Sequence, residues 1–262
     1  MTASVGETIA QRKAEGHGTL VAYLPVGYPD LATSVEASIA VLNGGADVLE
    51  LGVPYSDPVM DGTVIAKATQ TALERGFKLH QVFPAVAEIV QATGKPVLVM
   101  TYWNPVVQYG VEKFANDLLA AGGAGMITPD LIPDEASEWL EVSERLDLER
   151  VFLAAPSSSD SRLQRAGEVS KGFVYAVSTM GITGTRMDVD AAAQGLVSRI
   201  YEQGAQATCV GLGISTPEHV ADVVSFADGA IVGSALVRAL TEGGVSAVGE
   251  LAQSLATGTK RS

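Results

Sequence analysis

The sequence reads as an α/β chain forming a single (β/α)8 barrel domain over residues 1–262, with a helix ahead of the first strand and extra helices after strands two and eight. The reading rests on three features. Short apolar runs alternate with longer amphipathic ones from end to end, the pattern of parallel strands joined by helices. Eight strand–helix units fit within 262 residues, a common length for one closed barrel. No Pro/Ser-rich linker divides the chain. An open doubly wound sheet uses the same local pattern, and the strand count favours the barrel.

Val5 to Ala14 has helical character and is expected to close the bottom of the barrel. The first strand, TLVAYL (19–24), is followed by Pro29-Asp30, a start signal for a helix over 31–43. Gly44-Gly45 stops that helix ahead of the second strand, DVLELG (47–52). A longer connection, with room for an extra helix over 64–74, leads past Gly94 to PVLVMTY (96–102). AGMIT (124–128) follows Gly122-Gly123, and then come RVFLAA (150–155) and FVYAVS (173–178). ATCVGLG (207–213) follows Gly204, and Ser215-Thr216-Pro217 opens a helix over 218–225. The last strand, DGAIVG (228–233), runs into a short amphipathic helix over 235–240.

Hydrophobic residues make up 47% of the chain and charged residues 18%, enough to bury a large apolar interior. The net charge is −13, with 17 basic against 30 acidic side chains, and no basic run exceeds a pair such as the final Lys260-Arg261. Such a surface repels phosphate backbones, which excludes a nucleic-acid binder. The stretch MTASVGETIAQRKAEG lacks a signal peptide's apolar core and no apolar run is long enough for a bilayer, so the cytoplasm is the expected compartment. The single cysteine, Cys209, lies in an apolar run and reads as a small buried residue.

The stretch LELGVPYSDPVMDG (49–62) carries the chemistry. Side chains alternate along a strand, so Leu49 and Leu51 share one face while Val48 and Glu50 share the other. The leucine face suits the surrounding helices, which turns Glu50 into the lumen near the strand's C-terminal end, where barrel enzymes keep their active sites. Desolvation there favours a proton-holding carboxyl. Asp61, in the loop leaving the same strand, has a bland explanation as a turn residue or helix cap, as have Ser56 and Asp57. Its loop nevertheless lets it reach the cavity that Glu50 faces.

Of the three histidines, His17 precedes the first strand and His80 and His219 fall in helices, so no metal site is expected. No lysine stands at the C-terminal end of a strand, which disfavours a Schiff-base aldolase. Tyr102 and Tyr175 project at strand ends on the alternation that also turns Met100 and Phe173 inward, positions more often core than catalytic. After the last three strands come MGITGTR (180–186), GLGIS (211–215) and VGSALVRAL (232–240), glycine turns whose N–H groups can approach an anion closely. The third enters a helix N-terminus, and the set predicts a phosphate site. Arg186 is the cation nearest to it in sequence.

LELGVPYSDPVMDG, MTYWNP (100–105), ITPDLIP (127–133), GITG (181–184), GLGIS and VGSA together resemble the tryptophan synthase alpha subunit, in its bacterial unfused form, over essentially the whole chain. The resemblance implies a TIM-barrel lyase that splits indole-3-glycerol phosphate into indole and glyceraldehyde 3-phosphate by a retro-aldol step, with no cofactor and no metal. It implies that Glu50 is the general acid/base and that Asp61 accepts the indole N–H. It assigns Gly184, Gly213, Gly233 and Ser234 to the phosphate, and Tyr175 to the pocket. It makes Thr183 a lid residue that bonds the aspartate, within a lid over 179–189, and gives the indole apolar walls from Tyr23, Tyr102 and Leu212. The chain departs from the commoner pattern at Thr63, where proline is usual, at Leu212, where an aromatic is frequent, and at Ser157-Ser158-Ser159.

The resemblance also implies a pyridoxal-phosphate beta subunit as partner, in an α2β2 heterotetramer through which indole passes by a tunnel. Pro54, Tyr55, Pro58, Val59 and Met60 make an apolar loop suited to docking, with Asn104-Pro105-Val106 and Leu131-Ile132-Pro133 on the same rim. Two other readings stay open at this point. One is another phosphate-handling barrel, such as indole-3-glycerol phosphate synthase or a sugar-phosphate isomerase; the synthase depends on strand-end lysines that this chain lacks. The other is a non-catalytic subunit that binds a phosphorylated ligand to activate a partner.

Overall fold

The computed structural model describes residues 4–177, 186–211 and 213–261, and the side chains of all of these except 186–190. Helix α1 (Val5–Ala14) leads into β1 (Thr19–Pro25), α2 (Leu31–Asn43) and β2 (Val48–Gly52). Two helices, α3 (Thr63–Glu74) and α4 (Val82–Thr93), separate β2 from β3 (Val97–Met100). Helices α5 (Trp103–Tyr109) and α6 (Val111–Ala120) then precede β4 (Gly125–Ile127), and α7 (Ser137–Arg145) precedes β5 (Glu149–Val151) and β6 (Leu153–Ala154). The chain closes with α8 (Asp160–Val169), β7 (Val174–Val177), α9 (Arg186–Glu202), β8 (Thr208–Gly211), α10 (Pro217–Val224), β9 (Gly229–Val232) and α11 (Ser234–Ala256).

Among the described residues nine strands are present, all parallel, in the order β5-β4-β3-β2-β1-β9-β8-β7-β6. The two ends of that ladder, β5 and β6, are separated by Phe152 alone, so the ladder runs round a barrel. They are the halves of the fifth strand expected from the sequence. Arg150 exchanges two backbone hydrogen bonds with Lys171, and this bridge interrupts the regular ladder between the halves. The helices expected over 31–43, 64–74 and 218–225 are present as α2, α3 and α10, within a residue at each end. The short helix expected over 235–240 is the opening of α11, which breaks at Gly244 (φ 70°, ψ −160°). Helix α5 was not anticipated, because the third strand stops at Met100 instead of continuing to Tyr102.

Local chemistry accounts for the element boundaries. Asp30 accepts a hydrogen bond from Thr33 N–H and caps α2, while Thr216 does the same for α10, with Pro217 in its first turn. In the Ser157–159 run, Ser159 caps α8 and Ser158 Oγ accepts from Ala155 N–H, so these serines do the work of a turn. Strand alternation then sorts side chains into two cores. Leu20, Ala22, Leu49, Leu51 and Val99 pack against the helices, whereas Val21, Val48, Leu98, Phe173 and Ile231 fill the lumen together with Val5 and Ile9 of α1.

Three carboxylates at the N-terminal ends of strands hold this plug. Glu149 accepts from Val5 N–H (2.8 Å), Gly6 N–H (2.9 Å) and Ser4 Oγ (3.0 Å), satisfying the open end of α1 from 144 residues away. Asp47 pairs with Arg12 at 3.2 Å and Asp228 with Lys13 at 3.0 Å. Near the same end, Gly18 N–H bonds Thr259 O, joining the start of the barrel to its last residues. Among the described residues no helix is long and apolar enough to cross a membrane. Glu149→Ala leaves two amide donors and a hydroxyl without their acceptor in a site where the glutamate is 4% exposed. It is expected to cost about 2–3 kcal/mol in urea unfolding; an unchanged midpoint would show that α1 is held by packing alone.

Candidate active site

The register of β2 decides where its glutamate points. Glu50 lies opposite Tyr23 of β1 and Leu98 of β3, on the side of the strand that Val48 buries in the lumen. The side chain has no solvent exposure, and neither carboxyl oxygen has a hydrogen-bond partner among the described residues. Burial, reinforced by the negative charge of Asp61, pushes its pKa from 4.5 up to about 8. At neutral pH Glu50 therefore carries a proton with nothing among the described residues to receive it.

Asp61 comes from the loop between β2 and α3. Gly62, not Asp61, is the residue that caps α3, in an extended conformation and without a side-chain bond, so the capping explanation of the aspartate does not hold. Its Oδ1 instead accepts a hydrogen bond from Tyr102 Oη at 3.3 Å. Burial raises the Asp61 pKa and the Tyr102 bond opposes that rise. Thr63, the departure from proline, is simply the first residue of α3.

Both carboxyl groups line one cavity at the C-terminal mouth of the barrel. Of the other sequence-derived site residues, Tyr23, Tyr175, Gly213, Gly233 and Ser234 line it too. Tyr102 does not. It lines a much smaller adjoining space together with Asp61, Tyr23, Gly52 and Thr101. Thr183, Gly184 and Leu212 fall outside the described residues, as does nearly all of the lid expected over 179–189, and the side chain of Arg186 is likewise not described. Met60, Ile65, Met100, Gly211, Ile214 and Ile231 complete the lining. Met100 and Ile231 were open to strand alternation, whereas Ile65 and Ile214 come from a helix and a turn whose facing no local pattern announces.

Two glycines shape the walls. A Cβ on Gly52 would meet Tyr23 Oη at 2.4 Å, and one on Gly211 would meet Tyr175 Oη at 2.6 Å. Each phenol thus lies across a neighbouring strand that must carry glycine there. Gly213 adopts φ 62°, a left-handed turn, and Gly233 caps α11 with no side-chain bond. The first amide groups of α11 therefore face the cavity beside Ser234, a surface suited to an anion. Above the mouth, Val59 is 76% and Met60 47% exposed, with Val107 and Ile132 also exposed, while Val106 and Leu131 turn inward. The expected apolar rim is present, through a partly different set of side chains.

Against known proteins, the family model described as tryptophan synthase alpha chain matches residues 9–260. A tryptophan synthase alpha chain from Leifsonia xyli subsp. xyli is 62% identical over 257 residues, covering 98% of each chain. Among solved structures, tryptophan synthase from Mycobacterium tuberculosis superposes with a TM-score of 0.93 at 47% identity, covering 100% of both chains. A chain from the tryptophan synthase α2β2 complex of Pyrococcus furiosus gives 0.82 at 35% identity, covering 92% of this chain and 97% of that one.

The raised pKa of Glu50 has a consequence for stability. Unfolding returns the carboxyl to its ordinary value of 4.5, so between that pH and about 8 the folded state binds more protons than the unfolded one. Stability contributed by the neutral group is complete below the lower pH and is lost as pH rises through the upper one. Glu50→Gln stays neutral, so its stability relative to the parent is expected to rise by a few kcal/mol between pH 5 and pH 9, from ~1.4 kcal/mol per unit. Urea titrations of both proteins across that range check it, and a constant difference would contradict it.

Proposed function

The chain belongs to the tryptophan synthase alpha chain family, and on that premise we propose how its own residues carry the reaction. It is a lyase that cleaves indole-3-glycerol phosphate to indole and glyceraldehyde 3-phosphate. The observation that carries the assignment of residues is the fully buried Glu50, without a hydrogen-bond partner among the described residues and facing the same cavity as Asp61.

Protonated Glu50 donates to the indole ring carbon that bears the side chain, leaving a positive charge shared with the ring nitrogen. Asp61 accepts the ring N–H and stabilises that charge by a carboxylate already in position. Glu50, now ionised, takes the proton of the hydroxyl next to the ring. The carbon–carbon bond then breaks, its electron pair returns to the ring and the aldehyde forms. One proton has gone to carbon and one has come from oxygen, so Glu50 ends as it began. Tyr23, Tyr175, Ile65 and Ile214 supply apolar surface around the indole, and the Gly213, Gly233 and Ser234 turns hold the phosphate at the α11 N-terminus. The general acid works while Glu50 holds its proton, so kcat/KM is expected to fall as pH rises through about 8.

We propose that residues 1–262 act as one domain in the cytoplasm, and that the exposed apolar rim of Val59, Met60, Val107 and Ile132 docks a pyridoxal-phosphate beta subunit in an α2β2 heterotetramer. The relation to the Pyrococcus furiosus complex supports this partner. Purified protein is expected to release indole from indole-3-glycerol phosphate slowly alone and faster with the beta subunit. Glu50→Gln should lower kcat at least about a hundredfold while leaving substrate affinity near that of the parent, because it removes a proton donor and little volume. Normal turnover in the variant would move the acid to another residue.

A further inference from the structure

The loop from Val53 to Gly62 carries Asp61 yet has little structure of its own. At one end Val53 N–H bonds Met100 O, and at the other Ala66 N–H bonds Gly62 O as α3 begins. Between them, the hydrogen bonds that join the loop to the rest of the described residues lead to the C-terminal end of β3. Met60 N–H donates to Tyr102 Oη at 3.0 Å, Tyr102 Oη donates to Asp61 Oδ1 at 3.3 Å, and Asn104 Nδ2 reaches Tyr55 Oη at 3.4 Å. The Tyr55 ring, from the same loop, stacks on Tyr102 with centroids 5.2 Å apart and planes at 30°.

We propose that Tyr102 is the positioning residue for Asp61: its hydroxyl clasps the loop backbone and one carboxylate oxygen together, aiming the other oxygen at the indole nitrogen. This deepens the assignment of Asp61 made above and rests on it. The direction of the clasp follows from its chemistry. The Met60 amide has only a donor to give, so it occupies a lone pair of the phenol, and the phenol's own proton is free for the carboxylate. Tyr102 engages Oδ1, leaving Oδ2 for the cavity. The ring is 4% exposed and anchored on a strand end, so the position it imposes is that of the barrel and not of the loop.

The same bond bears on charge. Asp61 faces Glu50, Tyr23 and Tyr102, and no cation lines its cavity among the described residues. Burial drives it toward its neutral form and the Tyr102 proton holds it ionised. A neutral Asp61 could no longer stabilise a positive ring.

Tyr102→Phe removes the hydroxyl and keeps the ring and its stacking. The test follows the side-chain carboxyl of Asp61 by 13C NMR through a pH titration in the full chain and in this variant, beside kcat/KM for both across pH. The midpoint of Asp61 is expected to move to higher pH in Tyr102→Phe, and kcat/KM to fall roughly tenfold, with the loss deepening toward acid pH. An unchanged midpoint, or an unchanged kcat/KM, overturns the proposal. Asp61→Asn separates the two levels. Full turnover in Asp61→Asn would remove the assignment of Asp61 itself, whereas an inactive Asp61→Asn beside an unaltered Tyr102→Phe would remove only the role of Tyr102.

Discussion

The site depends on keeping water from one carboxyl group. Glu50 has no solvent exposure and no hydrogen-bond partner among the described residues, a combination that in a folded interior is tolerable only for the neutral acid. Its environment is dry because of the whole barrel and not because of one neighbour. Val48 and Leu98 fill the lumen beneath it, Val5 and Ile9 of the first helix seal the far end, and Tyr23 lies beside it on the next strand. The three carboxylates that pin α1 at the bottom therefore serve the chemistry at the top, since an open lumen would hydrate Glu50 and return it to an ordinary carboxylate.

The second carboxyl group is held by different means. Glu50 rides on a strand bonded on both sides, whereas Asp61 rides on a loop whose position is set by contacts with the end of β3. Their charges are coupled in a useful sense. An ionised Asp61 raises the affinity of Glu50 for its proton, so the state in which one is charged and the other neutral reinforces itself. Two carboxyls in identical surroundings would share a single proton without assigned roles. On the proposed assignment, burial without a partner among the described residues selects the donor, and a phenol proton selects the anion.

How far this arrangement could be read from the chain depends on the range of the physics involved. Strand alternation is local, and it was enough to turn Glu50 inward from the two leucines flanking it. It failed at Tyr102, because the strand ends at Met100 and the chain turns to begin α5, so the period of two no longer governs where the next side chains point. The resemblance makes residue 102 an apolar wall for the indole, and the structure adds a hydroxyl that reaches Asp61 Oδ1. Asp61 itself remained ambiguous in sequence, since a cap and a catalyst look alike ahead of a helix, and only the extended backbone of Gly62 separates them. Glu149 drew no attention at all. Its partners lie more than 140 residues away, and nothing local announces such a bond.

The anion site shows the same economy of charge from the other side. An arginine or lysine is the usual side-chain partner of a phosphate, and none lines the cavity among the described residues. The turns at Gly213 and Gly233 and the N-terminus of α11 offer backbone dipoles instead. A full cation within a few ångströms of Glu50 would favour its ionised form and pull its pKa back toward the ordinary range, disabling the donor at neutral pH. Dipoles act over a shorter distance than a net charge, so in the proposed site they would hold the phosphate while leaving the protonation of Glu50 to burial and Asp61. Glycine in the proposed phosphate turns is thus tied to the acid in the same cavity: each choice keeps positive charge out until the reaction itself creates it on the indole.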